Sequence, residues 1–195
     1  MPVDPTLRSL NIELPAQPSV LLQLSLLLAE EDTDFKAMGS LIEGDMSLAA
    51  AVLKALNSPI YGLRKPVRTV QQAIQYLGTN EVAAITYEMG LKSVFPSSPL
   101  LDAVWVRANR RGMLMGLMAK ALALDSFVAH SAGLFEECGK AVMYRHAPER
   151  YGAMLKSTGA DDILALQEMQ AFGVSHDAHG AALCETWTLA PAAVI

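Results

Sequence analysis

Apolar residues recur along most of the chain at the three- and four-residue spacing that is typical of amphipathic helices. One such set follows Pro18, with Val20, Leu21, Leu24 and Leu28 falling on one helical face. Clean two-residue alternation between turn signals, which would indicate strands, is absent. The pattern therefore predicts an all-α protein.

Polar residues and glycines at the ends of these segments predict where the helices begin and end. Asp32 or Thr33 is expected to cap a short helix that stops at Gly44. Asp45 is expected to cap the next helix, and Thr69 opens another that ends at Gly78.

A Pro-Ser-Ser-Pro segment over residues 96–99 is the clearest boundary signal in the chain. The helical patterns after it are predicted at about 100–124, 127–144, 148–159, 161–173 and 175–187. We therefore expect one domain over residues 1–195, built from an N-terminal helical subdomain at 14–96 and a C-terminal one at 97–195.

Composition narrows the classes of protein that are compatible with this pattern. Hydrophobic residues make up 52% of the 195 residues, which is enough for a sizeable core. The net charge of −5 argues against broad electrostatic binding to nucleic acid. The sequence contains no recognisable signal peptide and no apolar run long enough to span a membrane. Cys138 and Cys184 lie in apolar contexts, and we therefore expect a cytoplasmic protein with reduced thiols.

Two adjacent carboxylates, Glu136 and Glu137, interrupt an apolar segment between Gly133 and Lys140. If they lie within one helix they point about 100° apart, so one is expected to face solvent and the other an interior or cleft. The segment resembles the Gly-Leu-Leu-His-Asp-Ile-Gly-Lys signature of HD-type metal phosphohydrolases, with the His-Asp pair replaced by two glutamates.

The wider pattern resembles the HDOD domain, the HD-related output domain of bacterial signalling proteins, from about Leu14 to about Ala190. The N-terminal half carries the pattern over residues 56–62 (Leu-Asn-Ser-Pro-Ile-Tyr-Gly) and over 66–70 (Pro-Val-Arg-Thr-Val). The matching positions of the second half are Trp105, Gly133, Leu134, Gly139, Lys140, Tyr151, Glu168, Gly173, His176, Gly180 and Trp187. The resemblance implies an HDOD-like all-α fold of two packed helical subdomains, the second of them HD-like.

The departures from the family pattern fall at the positions of metal ligands. The family often keeps a His two residues after the Trp, where this chain has Arg107, and a His-Asp pair where it has Glu136 and Glu137. A fixed positive charge opposes cation binding, and His176 alone remains comparable with a ligand. We therefore expect no metal, no cofactor and no catalytic residue, and we expect Arg107 to pair with Glu136 or Glu137.

Two other groups of residues carry competing interpretations. The segment containing Asn57 and Tyr61 is either a binding loop or a structured turn between helices, and the turn is favoured. His176 and His179 stand three residues apart and are either two ligands of a metal or structural residues, and the structural interpretation is favoured. His130 and His146 are read as ordinary surface or partly buried residues.

The family resemblance implies bacterial signal transduction without catalysis, through protein–protein contact or ligand sensing. Two alternatives stay open, a metal-dependent phosphohydrolase with altered ligands and a nucleotide or small-ligand sensor. The candidate ligand or partner contacts are Arg107, Glu136, Glu137, His176, Asn57 and Tyr61. The expected partner is an unidentified signalling protein or domain, with a nucleotide as a further possible ligand, and neither nucleic acid nor membrane is expected to bind.

Overall fold

The structure, a computed structural model, describes residues 12–30 and 34–187. Across these residues every regular element is helical, which confirms the all-α prediction. The helices are α1 Ser19–Leu28, α2 Phe35–Glu43, α3 Met46–Leu56, α4 Val70–Leu77, α5 Thr79–Ser93, α6 Pro99–Ala121, α7 Ser126–Phe135, α8 Cys138–His146, α9 Pro148–Ser157, α10 Asp161–Phe172 and α11 His176–Thr186, with a 3₁₀ turn at Pro59–Tyr61.

Residues Gln17–Val94 form one compact unit, and residues 95–187 form a second unit together with residues 12–16. That segment joins the second unit because the indole N–H of Trp187 donates to the carbonyl oxygen of Pro15 over 2.9 Å. The prediction of a single domain with a boundary at residues 96 and 97 stays a prediction.

Helix α5 is the centre of the Gln17–Val94 unit, since nearly every residue between Val82 and Leu91 is buried. It packs against α1, α3 and α4. Gly90 permits the close approach of α1, because a Cβ there would lie 2.7 Å from a methyl carbon of Leu21.

The predicted helix caps in this unit are largely present. The Asp45 carboxylate accepts hydrogen bonds from two backbone N–H groups of α3, and the Thr69 hydroxyl accepts one from α4. Gly78 ends α4 with a φ of 88°, a conformation that favours glycine. Asp32 and Thr33 lie outside the described residues, and Asp34 is the residue that caps α2.

Two close helix pairs shape the second unit. Helices α6 and α7 cross where Gly112 and Gly133 meet, since a Cβ on Gly133 would lie 2.9 Å from the Gly112 Cα. Helices α8 and α11 cross at Gly139, where a Cβ would lie 1.8 Å from the carbonyl oxygen of His176. Packing this close fixes the start of α11 against α8.

Two expectations for this unit are wrong. The single helix predicted over 127–144 is two helices, α7 and α8, with Glu136 and Glu137 at the junction between them. Glu137 has a ψ of −1°, and its carbonyl accepts the N–H of Lys140 three residues on, so the chain changes direction there. His130 is only 4% exposed, so it is neither at the surface nor partly buried. It packs against Gly112, where a Cβ would lie 2.9 Å from the His130 carbonyl oxygen and 3.3 Å from its Nε2.

No helix in residues 12–30 and 34–187 is both long enough and apolar enough to span a membrane.

Candidate functional site

Helix α6 presents two arginines one turn apart. Arg107 and Arg111 are four residues apart, so their side chains leave the helix on the same face. Both guanidinium groups extend to the junction between α7 and α8, where the two glutamates stand.

The junction separates the two carboxylates as the sequence predicts. The Glu136 side chain is 56% exposed, whereas that of Glu137 is only 2% exposed. An ionised carboxylate at such depth is stable only where cations and hydrogen bonds replace its lost hydration.

Three cations surround the Glu137 carboxylate. Arg107 donates from Nη2 to Oε2 over 2.9 Å and from Nε over 3.2 Å. Arg111 Nη1 lies 3.3 Å from Oε1, and Lys140 Nζ lies 3.5 Å from Oε2. The predicted pairing of Arg107 with a carboxylate is present, and Glu137 is its partner.

The two outer carboxylates complete the network of charges. Arg111 Nη1 lies 3.0 Å from Oε2 of Glu136, so one guanidinium bridges both glutamates. Lys140 is buried, and its Nζ donates to Oδ1 of Asp161 over 2.8 Å. This hydrogen bond from the ammonium group lowers the pKa of the Asp161 carboxyl below its usual value.

We call Arg107, Arg111, Glu136, Glu137, Lys140 and Asp161 the ionic cluster. Arg111, Lys140 and Asp161 are not among the candidate residues from the sequence. The available signals were a lysine inside an otherwise apolar segment and an aspartate at the first position of α10. Neither feature by itself indicates a site. Lys140 and Asp161 are 21 positions apart in the chain, and only the tertiary fold brings them together.

His176 stands at the start of α11 and is held by a different carboxylate. Both its backbone N–H and its Nδ1 lie 2.7 Å from Oε2 of the buried Glu168. The Tyr151 hydroxyl donates to Oε1 of the same carboxylate over 2.6 Å. Burial and this contact with Glu168 raise the pKa of the Tyr151 phenol well above its usual value.

A small cavity of about 180 Å³ joins these two groups of residues. Its walls are almost entirely charged and include Arg111, Glu137, Lys140, Asp161 and His176. Small-molecule sites usually have volumes of about 300–1,000 Å³ and mainly apolar walls. The cavity is therefore small and polar by comparison.

These residues do not fit a bound metal ion. Carboxylate ligands must turn free lone pairs toward the metal, yet the Glu137 oxygens already face Arg107, Arg111 and Lys140. Burial lowers the pKa of His179 to about 4, which keeps its imidazole neutral, and its Nε2 has no hydrogen-bond partner. Within the described ranges no three His, Cys, Asp or Glu side chains are arranged to hold a metal.

Asn57 and Tyr61 belong to the Gln17–Val94 unit and are not members of the ionic cluster. The Asn57 amide donates to the carbonyl of Val67 over 2.9 Å and accepts the N–H of the same residue over 2.8 Å. Gly62 follows the 3₁₀ turn with a φ of 59°. Burial, together with Glu81 and Glu88, raises the pKa of the Tyr61 phenol. These contacts are those of a structured turn, the interpretation that the sequence favours.

Comparison with known proteins places this arrangement in a family. The model of the HDOD domain matches residues 14–195. A protein of Treponema pallidum is 26% identical over 181 residues, which cover 91% of this chain and 35% of that protein. The chain therefore spans about a third of the length of this curated relative.

Solved structures share the fold. The crystal structure of an HDOD domain protein of unknown function from Geobacter sulfurreducens matches with a TM-score of 0.75 and 22% identity, covering 95% of this chain and 63% of that one. The crystal structure of a candidate phosphohydrolase from Shewanella amazonensis also matches with a TM-score of 0.75. It is 23% identical, and the match covers 93% of this chain and 66% of that one. The family match covers nearly the whole chain, and the chain belongs to the HDOD domain family.

Proposed function

We propose that this chain is a non-catalytic regulatory module of bacterial signal transduction that acts through contact with another protein. The observation that carries the proposal is the Glu137 carboxylate with three cations around it. By the family resemblance, Arg107 and the two glutamates stand where HD-type hydrolases keep metal ligands. Signalling proteins are also found among the solved neighbours, one of them a candidate signal transduction protein from Marinobacter aquaeolei.

The ionic cluster supplies a structural role that a metal would otherwise have. Through Glu137 it joins α6 to the α7–α8 junction, and through Lys140 it joins α8 to the start of α10. A metal would hold these segments together with ligand bonds, whereas here charge-assisted hydrogen bonds do so. A module of this kind presents a fixed surface to a partner. The partner we propose is another signalling protein or domain, met in the cytoplasm.

Activity measurements test the absence of catalysis. The purified chain is incubated with Mn²⁺, Mg²⁺ or Fe²⁺ and with phosphomonoester and cyclic-nucleotide substrates. We expect no turnover above that of a heat-denatured control. Turnover by the wild-type chain that disappears in Glu137→Ala, a variant lacking the central carboxylate, would overturn the proposal and restore the phosphohydrolase alternative.

A second candidate function is a small-ligand sensor, which rests on a different observation. An open cavity of about 560 Å³ lies in the Gln17–Val94 unit, within the usual size range of ligand sites. Phe35 and Lys36 line it at the start of α2, and the amides of Gln71 and Gln75 line it from α4. Calorimetric titration with ATP, GTP and cyclic nucleotides tests this function, and binding that Lys36→Ala abolishes would favour it.

A further inference from the structure

Helix α6 carries apolar side chains on two opposite faces. Leu101, Trp105, Ala108 and Ala119 are buried on one face. At 100° per residue, Leu114 lies about 200° around the helix from the buried Gly112, so it points the opposite way. Helix α6 therefore carries an apolar stripe on the side away from its buried face.

The opposite face continues into the turn that follows α6. Leu114, Leu117, Met118, Leu122 and Leu124 are each between 54% and 66% exposed, and we call these five residues the α6 patch. Single exposed apolar residues are common on protein surfaces, but a contiguous group of large ones is typical of an interaction site.

The area of the α6 patch suits a pair of identical chains. Five large side chains, each more than half exposed, present on the order of 500 Å² of apolar surface. Two copies that cover each other would bury on the order of 1,000 Å², which is about the lower limit for a specific interface. A two-fold interface needs only one patch, because the same surface serves both partners.

Charges at the two ends of the patch favour an antiparallel arrangement. Arg110 is exposed beside Leu114, toward the start of the helix, and within the described residues it forms no ion pair. The exposed Asp125 lies at the other end, where its Oδ1 caps α7. A two-fold axis near Leu117 and Met118 turns Arg110 of each copy toward the Asp125 end of the other.

We propose that the α6 patch is the contact surface of a homodimer in which two copies of α6 pack antiparallel across a two-fold axis near Leu117 and Met118. The proposal does not rest on the proposed lack of catalysis. The contact gives a regulatory module a second protein-binding surface, directed at another copy of this chain.

Sedimentation equilibrium of the 195-residue chain tests the proposal. We expect twice the monomer mass at about 100 μM. Leu117→Glu should raise the dissociation constant of the dimer at least about 100-fold, and Arg110→Glu about 10-fold. Leu166→Glu is the matched control, because Leu166 is a leucine on α10 with the same 65% exposure as Leu117. It should leave the dimer intact, and circular dichroism melting should show that all three variants remain folded.

Cross-linking tests the antiparallel arrangement. Met118→Cys lies next to the axis and should form a disulfide between copies under a mild oxidant. Ala103→Cys is on the same face, but the two copies of it would be roughly 40 Å apart and should not react. The native Cys138 and Cys184 are buried, so the wild-type chain under the same oxidant gives the background level of cross-linking. A monomer at about 100 μM, or a dimer unaffected by Leu117→Glu, would overturn the proposal. A cross-link through residue 103 instead of 118 would overturn its geometry.

Discussion

Replacement of Arg107 by alanine tests how much the ionic cluster contributes to folding. The variant removes the closest cation from Glu137, which is 2% exposed and therefore depends on its partners. Breaking a fully buried ion pair costs about 3–5 kcal/mol, and breaking an exposed one costs less than about 1 kcal/mol. Arg107 is 48% exposed, and Arg111 and Lys140 stay within 3.5 Å of the carboxylate. We therefore expect a loss of about 2 kcal/mol in the free energy of unfolding.

The loss should be visible in thermal and chemical unfolding. For a chain of this size, about 2 kcal/mol corresponds to a decrease in Tm of roughly 4–8 °C. Arg107→Met should lose less than Arg107→Ala, because the methionine retains the apolar stem that packs on the helix. The urea concentration at the unfolding midpoint should decrease. The dependence of the free energy of unfolding on urea concentration should stay the same, since the folded state stays equally compact.

A double-mutant cycle assigns the loss to one carboxylate. We expect Arg107→Met and Glu137→Gln to show a coupling energy of about 1 kcal/mol or more, because their side chains make three hydrogen-bond contacts. The matched cycle with Glu136→Gln should give a coupling near zero, since Glu136 pairs with Arg111. Coupling within experimental error of zero for Glu137, or equal coupling with both glutamates, would refute the assignment.

Three further outcomes follow from buried groups elsewhere in the second unit. Burial lowers the pKa of His130 to about 4, so protons bind preferentially to the unfolded chain, and this residue should decrease stability by up to about 3 kcal/mol as the pH falls from about 6.5 to 4. His130→Gln should weaken the dependence of the urea midpoint on pH without abolishing it, because His179 has a pKa lowered to about 4 in the same way. Gly139→Ala should cost about 3 kcal/mol or prevent folding, because its Cβ would overlap a carbonyl oxygen of α11, whereas Gly159→Ala meets nothing within 4 Å and should be near neutral in the same melts. Tyr151→Phe should cost about 1–3 kcal/mol, because it leaves an oxygen of the buried Glu168 without its donor, and an unchanged Tm would contradict that role.

Local signals in the sequence predict most helix ends, because caps and stops act over a few residues. Asp45, Thr69 and Gly78 all take the expected roles. The start of α11 differs, since the side chain of Ser175, the residue before this helix, makes no capping hydrogen bond to it. The carboxylate of Glu168, eight residues before His176, accepts the first N–H of that helix instead. Such a cap depends on tertiary packing and has no local pattern.

The ionic cluster is predictable only in part for the same reason. Family resemblance identifies Arg107 and the two glutamates as partners, and the separation of one carboxylate from the other follows from their adjacent positions. The sequence does not predict the break between α7 and α8, because an apolar run with helical spacing carries no signal for a change of direction. Lys140 follows Glu137 by three residues, a spacing that brings two side chains together on a helix. Its second contact, to Asp161 at the start of α10, depends on the tertiary fold.

Direct titration with Mn²⁺ tests most sharply whether the cations around Glu137 have taken the place of a metal. The wild-type chain is compared with the triple variant Arg107→His, Glu136→His and Glu137→Asp, which restores the ligand types of the family pattern. We predict no Mn²⁺ binding by the wild-type chain at about 100 μM, and measurable binding by the variant, because the opposing guanidinium is gone and imidazole ligands are present. Stoichiometric binding by the wild-type chain that Glu137→Gln abolishes would contradict the account.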